Sequence, residues 1–262
     1  MKFWNFWKSS NSVILEFDHI DDKNMDDFVQ QIEEVEKYYA FDRLENLARR
    51  VFQRKKLGLA SIFFKNPRKS VLLRAVPFLL EKKIPFTISL RADCIGLNRL
   101  PIEEELNLYL RKYPEKFSAE TQAQLFDWGW SHPQKAEAFL LGLRKTVGPL
   151  PLEAVDPTFF FATWGKLLEI PNEWVSWGIT LNVSPQLTSW VENEILFMRQ
   201  QLGQHPQVAR VHYPSENHRV FPFEWDEASL KKLALEACVG RLDGAVTHSS
   251  DWWNLPVWRF ST

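Results

Sequence analysis

The stretch Leu57-Gly58-Leu59-Ala60-Ser61-Ile62-Phe63-Phe64-Lys65-Asn66-Pro67, continued through Val71–Leu79 to Ile84-Pro85-Phe86-Thr87-Ile88-Ser89-Leu90, decides the fold. Leu57 to Phe64 is a mostly apolar run that Asn66-Pro67 closes, as expected of a strand covered on both faces. Val71, Leu72, Ala75, Val76 and Leu79 then recur at helical spacing, and Lys82 and Lys83 stand at the negative end of that helix. Ile84 to Leu90 returns to β-rich composition, so strand, helix and strand alternate as in a parallel βαβ unit.

The same alternation extends outward in both directions. Upstream, Val13-Ile14-Leu15-Glu16-Phe17 reads as a strand and Asp21-Asp22-Lys23-Asn24 as a turn. Asn24 is placed to cap a helix carrying Phe28, Ile32, Val35 and Tyr39 on one face, with Asp26 and Asp27 in its positive first turn. A second helix runs through Leu44, Leu47, Ala48 and Val51; its basic side, Arg49, Arg50, Arg54, Lys55 and Lys56, reads as a solvated face rather than an anion site. Downstream, residues 91–169 turn helical and irregular, with helices expected over Glu103–Tyr113, Ala119–Trp128 and Gln134–Arg144, and read as an insertion within one domain spanning residues 1–262. Alternation resumes with a strand at Trp177–Val183 and a helix from Ser189, where Ser189 and Glu192 suggest a capping box and Gly203 an end. Strands at Val208–Tyr213, Leu242–Thr247 and Val257–Phe260 and a helix at Glu227–Cys238 complete the expectation.

Composition narrows the function classes. The chain has 262 residues, 45% of them hydrophobic, with a formal net charge of −1. That balance leaves no general positive field for a polyanion, so no nucleic-acid partner is expected. Two distant cysteines, Cys94 and Cys238, read as free buried thiols in a reducing compartment. The first residues hold Phe3, Trp4, Phe6 and Trp7 but make a poor signal peptide, and no stretch approaches the roughly 18 apolar residues of a spanning helix. The expected setting is cytoplasmic, at most peripheral to the inner membrane. No G-x-S-x-G, phosphate loop or C-x-x-C occurs, which removes common hydrolase, nucleotide and redox readings.

Taken in order, these segments resemble the polysaccharide deacetylase family, built on the NodB homology domain, a distorted (β/α) barrel. The likeness runs from about Val13 to Phe260 and rests on Ile14-Leu15-Glu16-Phe17-Asp18-His19-Ile20, on Leu59 to Pro67, on Ala75 to Leu80, on Lys83-Ile84-Pro85-Phe86-Thr87, on Ile95-Gly96, on Tyr213-Pro214 and on Gly244-Ala245-Val246-Thr247. It implies metal-dependent removal of acetyl groups from a glycan: a divalent ion activates water, one Asp of a T-F-D-D strand end is the base, and the other Asp and an H-x-x-x-H pair are ligands.

This chain departs at those positions. The alignment through Ala75 and Ile84-Pro85 puts Lys65 and Asn66 where the two aspartates belong, and Thr180 and Ser184 where the histidines belong. An ammonium is no base and repels a dication, so the alignment implies a pseudoenzyme with no metal cofactor that binds a glycan or a polysaccharide-processing protein. In the competing alignment Phe17-Asp18-His19 is the F-D-D equivalent and His132 a surviving histidine; it keeps open an active hydrolase of N-acetyl carbon–nitrogen bonds with a relocated site and a zinc or other divalent ion. Strand C-terminal ends form barrel active sites, which brings in His212, Tyr213 and His248 as substrate-binding candidates, although a lone histidine at a strand end is more often structural. With 20 Phe and 12 Trp, aromatic sugar platforms are available, and Trp128, Trp130, Trp164, Trp252 and Trp253 are candidates, each alone more simply a core residue.

Overall fold

The computed structural model describes residues 11–92, 94–97, 99–118, 120–121, 133–150, 156–182, 188–212, 233–250 and 255–259. Eight strands, β1 (Val13–Phe17), β2 (Ala40–Phe41), β3 (Leu59–Phe64), β4 (Phe86–Leu90), β5 (Val175–Asn182), β6 (Val208–His212), β7 (Ala237–Asp243) and β8 (Leu255–Arg259), form one sheet in the order β1-β8-β7-β6-β5-β4-β3-β2. Every pairing between named strands is parallel, and β1 also pairs with β3, which closes a seven-strand barrel. The two-residue β2 lies outside that ring, against Leu59 and Ala60.

Alternation along β1 sorts its side chains between two cores. Val13, Leu15 and Phe17 pack outward with Phe28, Ile32 and Val35 of α1 (Met25–Glu36) and with Val76 and Leu79 of α3 (Val76–Glu81). Ile14 packs inward with Phe63, Val208, Val239, Leu255 and Val257, and this inner cluster continues into Leu44, Leu47, Ala48 and Val51 of α2 (Leu44–Phe52). Helix α2 therefore plugs the N-terminal end of the barrel. The inner face is not uniformly apolar: β3, β4 and β5 supply Ser61, Thr87, Ser89, Ser176 and Thr180, all buried. Ser89 and Thr180 satisfy each other at 2.7 Å, and Ser176 donates to Glu45 of the plug at 2.7 Å. Gly178 lets the strands approach closely here, since a Cβ would lie a tight 3.1 Å from the Val208 carbonyl oxygen and 3.5 Å from the Ser89 Cα.

The long connection from β4 to β5 carries α4 (Ile102–Lys112), α5 (Pro133–Thr146) and α6 (Trp164–Leu168). Its own cluster gathers Leu106, Tyr109, Phe117, Ala136, Leu140, Leu143 and Leu150, and Arg144 grips both oxygens of Glu105 at 2.7 Å. The last helix among the described residues is α7 (Thr188–Leu202), ended by Gly203 at φ 65°. No helix among the described residues is long and apolar enough to cross a membrane. Cys94 and Cys238 are both buried and form no disulfide.

Several local expectations need correction. Asn24 makes no side-chain cap on α1; its side chain instead accepts from the Asp21 N–H at 2.8 Å and donates to the His19 carbonyl at 3.1 Å, bracing the turn before the helix. The helix after β3 opens as a π-turn, Val71–Ala75, and Pro77, with no N–H to return to Leu73, stands where the wide turn passes into α3. Ser189 lies inside α7, which begins one residue earlier. Cys238, expected at a helix end, belongs to β7: Ala237 and Val239 point inward, so the local period is two, not 3.6. The strand expected at Leu242–Thr247 already ends at Asp243; Gly244 then turns the chain at φ 150°, and Val246 bonds back to Ser12. Basic Arg49 is not merely solvated, since it forms a bidentate pair with Glu236 at 2.5 and 2.6 Å.

Candidate functional site

At the C-terminal end of the barrel, two adjacent strand ends bring the two competing readings of the sequence into one place. Phe17 of β1 pairs with Phe64 of β3, and the Lys65 N–H donates to the Phe17 carbonyl at 2.9 Å. Asp18 and Lys65 thus leave the barrel side by side, and the Lys65 Nζ lies 3.0 Å from the Asp18 Oδ2. Asn66 donates to the Asp18 Oδ1 at 2.7 Å, and Arg68 donates to the two Asp18 oxygens at 3.0 and 3.4 Å. Asp18 is therefore a hub rather than a free carboxylate. Burial pushes its pKa up, but the Arg68 guanidinium, the Lys65 ammonium and the hydrogen bonds from Arg68 and Asn66 outweigh it and hold the carboxyl well below the usual range.

Arg68 is 1% exposed and ties the hub to the β4–β5 connection. It donates to Glu104 of α4 at 2.7 Å and to the Phe159 carbonyl at 2.8 Å, with its guanidinium 3.9 Å from the centre of the Phe159 ring. Burial disfavours its charge, yet Asp18 and Glu104 prevail and raise its pKa. His19 stands beside the hub with its own partners: Nδ1 is 2.7 Å from the Ser70 Oγ, Nε2 is 3.6 Å from Asp21, and the ring meets Phe159 edge-on at 5.1 Å.

A second charged group lies one step deeper on β1. Glu16 receives two bonds from Arg210 of β6 at 3.0 and 3.1 Å and a third from Arg259 of β8 at 3.3 Å. Burial pushes this carboxyl up, and Arg210, then Arg259 and Lys65, bring it below its ordinary value. Arg259 also donates to Asp243 at 2.8 Å. On the β4 side Arg91 pairs with Glu103, whose pKa burial raises despite that guanidinium.

Among the described residues no group of three or more His, Cys, Asp or Glu side chains could hold a metal ion. Both oxygens of Asp18 are taken by N–H donors, and an ion there would sit against an ammonium and a guanidinium. The described residues do not fit a divalent cation.

The remaining sequence candidates are dispersed. Thr180 is buried inside the barrel on Ser89, below the mouth. Trp164 stacks edge-on against Phe197 at 5.7 Å in the outer helix layer. His248 occupies an exposed turn two residues beyond Val246, whose backbone pairs with Ser12 at the start of β1, away from the mouth. His212 ends β6 opposite Asn182. Ser184, Tyr213, Trp128, Trp130, His132, Trp252 and Trp253 lie outside the described residues, as do Phe3, Trp4, Phe6 and Trp7. Sequence reasoning missed Arg68, Glu104, Phe159 and the Glu16 cluster. The signal for the last was present: VILEF, VARVH and LPVWR each hold one charge within an otherwise largely apolar strand, the mark of buried charges that need partners.

No family model matches the chain, and no curated protein matches it. Solved structures do. It is similar to IcaB from Ammonifex degensii (TM-score 0.60, 12% identity, covering 97% of this chain and 93% of that one). It is similar also to the Streptococcus pyogenes deacetylase PplD (0.56, 14%, 95% and 92%) and to the BpsB deacetylase domain from Bordetella bronchiseptica (0.54, 11%, 95% and 96%). The fold expected from the sequence, a distorted (β/α) barrel of the polysaccharide-deacetylase type, is the fold of this chain.

Proposed function

We propose, with the polysaccharide-deacetylase fold as premise, that this chain is a catalytically impaired protein of that fold whose barrel mouth binds a glycan. The observation that carries the reading is the state of Asp18: Lys65, Asn66 and Arg68 occupy its oxygens, where the fold's chemistry needs one carboxylate free to take a proton and another to hold a metal. A carboxylate held this far toward its ionised form by two cations is a weak base.

What remains suits recognition. The mouth offers polar pairs whose members are partly exposed, Asp18 with Lys65 and Asp243 with Arg259, and sugar hydroxyls exchange readily with such groups. Phe159 supplies an apolar surface at the rim against which the C–H face of a pyranose packs. In this role residues 1–262 act as one domain, with the insertion at about 91–169 reaching the mouth through Glu104 and Phe159, and the protein works beside polysaccharide-processing proteins.

The test is metal content by elemental analysis after incubation with zinc, cobalt or manganese and removal of unbound ion, together with acetate release from N-acetylated oligosaccharides. Negligible retained metal and no acetate are expected. About one ion per chain with acetate release, both lost in Asp18→Ala, would overturn the reading in favour of an active metal-dependent N-acetyl hydrolase with a relocated site at Asp18 and His19.

A further inference from the structure

The two carboxylates at the C-terminal end of β1, Glu16 within the strand and Asp18 just past it, are built on one plan. Each is satisfied by a buried guanidinium and carries, in addition, a partly exposed cation. Glu16 has both oxygens on Arg210, 7% exposed, and also Arg259, 34% exposed. Asp18 has Arg68, 1% exposed, and Asn66, and also Lys65, 29% exposed. The second cation is surplus in each case, because removing it leaves both oxygens of the carboxylate with N–H donors. The surplus cations come from the last residue of β8 and the residue after β3, the two strands that flank β1, so they face the mouth from either side of the same strand. Both act on Glu16, Arg259 by direct contact and Lys65 by its charge.

We infer that Lys65 and Arg259 form a clamp for a carboxylate carried by the glycan, which makes the ligand class an acidic, uronate-bearing oligosaccharide rather than a neutral one. The inference rests on the glycan-binding reading above. Three acids face the clamp: Glu16, whose two oxygens stay on Arg210, and Asp243 and Asp18, which an incoming carboxylate displaces. Asp243, bonded to the Arg259 Nη1, is 68% exposed and returns to solvent when displaced, which frees that nitrogen. Asp18 gives up the Lys65 ammonium while keeping three N–H contacts from Asn66 and Arg68. Glu104, on the Arg68 side of the hub, is held by Arg68 and does not compete for the clamp. An incoming carboxylate therefore exchanges for groups that are otherwise provided for, and no buried charge is left alone.

The test is isothermal titration calorimetry of the full chain with a galacturonic acid tetramer and, in parallel, with an N-acetylglucosamine tetramer. The acidic tetramer is expected to bind at least ~10-fold more tightly at low ionic strength, with the preference shrinking as salt is added. Lys65→Met and Arg259→Met should each weaken the acidic tetramer ~10-fold, while Lys65→Arg retains most of the affinity. Thermal melts identify any variant that fails to fold, and Lys65→Met, whose partner keeps its other donors, stands in for Arg259→Met if the latter does. Equal affinity for the two sugars, or undiminished acidic binding by folded Lys65→Met, overturns the clamp and leaves the glycan-binding reading intact. Failure of both tetramers to bind overturns the glycan-binding reading, and the clamp with it.

Discussion

The two ends of the barrel solve opposite problems with opposite materials. At the N-terminal end α2 lays Leu44, Leu47, Ala48 and Val51 across Ile14, Phe63, Val208 and Leu255, and stability there is the sum of many weak apolar contacts that tolerate exchange among similar shapes. At the C-terminal end Glu16, Asp18, Lys65, Arg68, Arg210 and Arg259 meet in charged pairs, where the buried guanidiniums of Arg68 and Arg210 are needed mainly because the carboxylates they hold have already left bulk water, while Lys65 and Arg259 add to pairs already made. The difference teaches which losses are graded and which are abrupt.

The largest effect is expected from Arg68→Met. Asp18 and Glu104, each about a quarter exposed, would both lose their shared guanidinium, and the Phe159 carbonyl its donor, so the chain should lose about 3–5 kcal/mol of stability, the sum of several charge-assisted hydrogen bonds broken at once. Denaturant melts measure it. Leu47→Ala in the plug should cost less, about 2–4 kcal/mol, from lost transfer energy and a partly relaxed cavity. A result in which the plug variant falls well below the arginine variant would reverse the comparison.

These two ends also differ in how far they could be read in the sequence. The plug, the β1 boundaries and the parallel βαβ core announce themselves through periodicity, because apolar spacing follows backbone geometry directly. The mouth does not, since its contacts join residues about 50 to 240 positions apart, such as Asp18 with Arg68 and Glu16 with Arg259, and no local pattern encodes such a pairing. Lys65 and Asp18 were visible as rival candidates for one motif; only the register of β1 on β3 shows that they are neighbours. The two-residue β2 and the strand at Ala237–Asp243 escaped for a plainer reason, being respectively too short for any period and flanked by leucines at helix-like spacing.

Acid should act on the mouth before the plug. The carboxyls of Asp18 and Glu16 titrate below their ordinary values in the folded chain, so each contributes stability that is fully present above the unfolded-state pKa and is lost as pH falls toward the folded one. Urea midpoints should therefore hold near neutrality and fall progressively below about pH 5, in the range where unfolded carboxylates begin to take up protons. Asp18→Asn should flatten part of that fall. Leu47→Ala should shift the whole curve down without changing its slope, and a slope change in the plug variant would show that the two ends are coupled.

The smallest effect is expected where the mouth looks most charged. Lys65→Met removes an ammonium 3.0 Å from Asp18, yet Asn66 and both nitrogens of Arg68 remain on that carboxylate, and the lysine side chain is already 29% exposed. A partly solvated ion pair of this kind is worth under about 1 kcal/mol, so the urea midpoint of Lys65→Met should stay close to that of the wild type. A loss as large as that of Arg68→Met would mean that the ammonium, and not the guanidinium, neutralises Asp18. The distinction between structural and surplus cations would then disappear, and the mouth would have no cation to lend to a ligand.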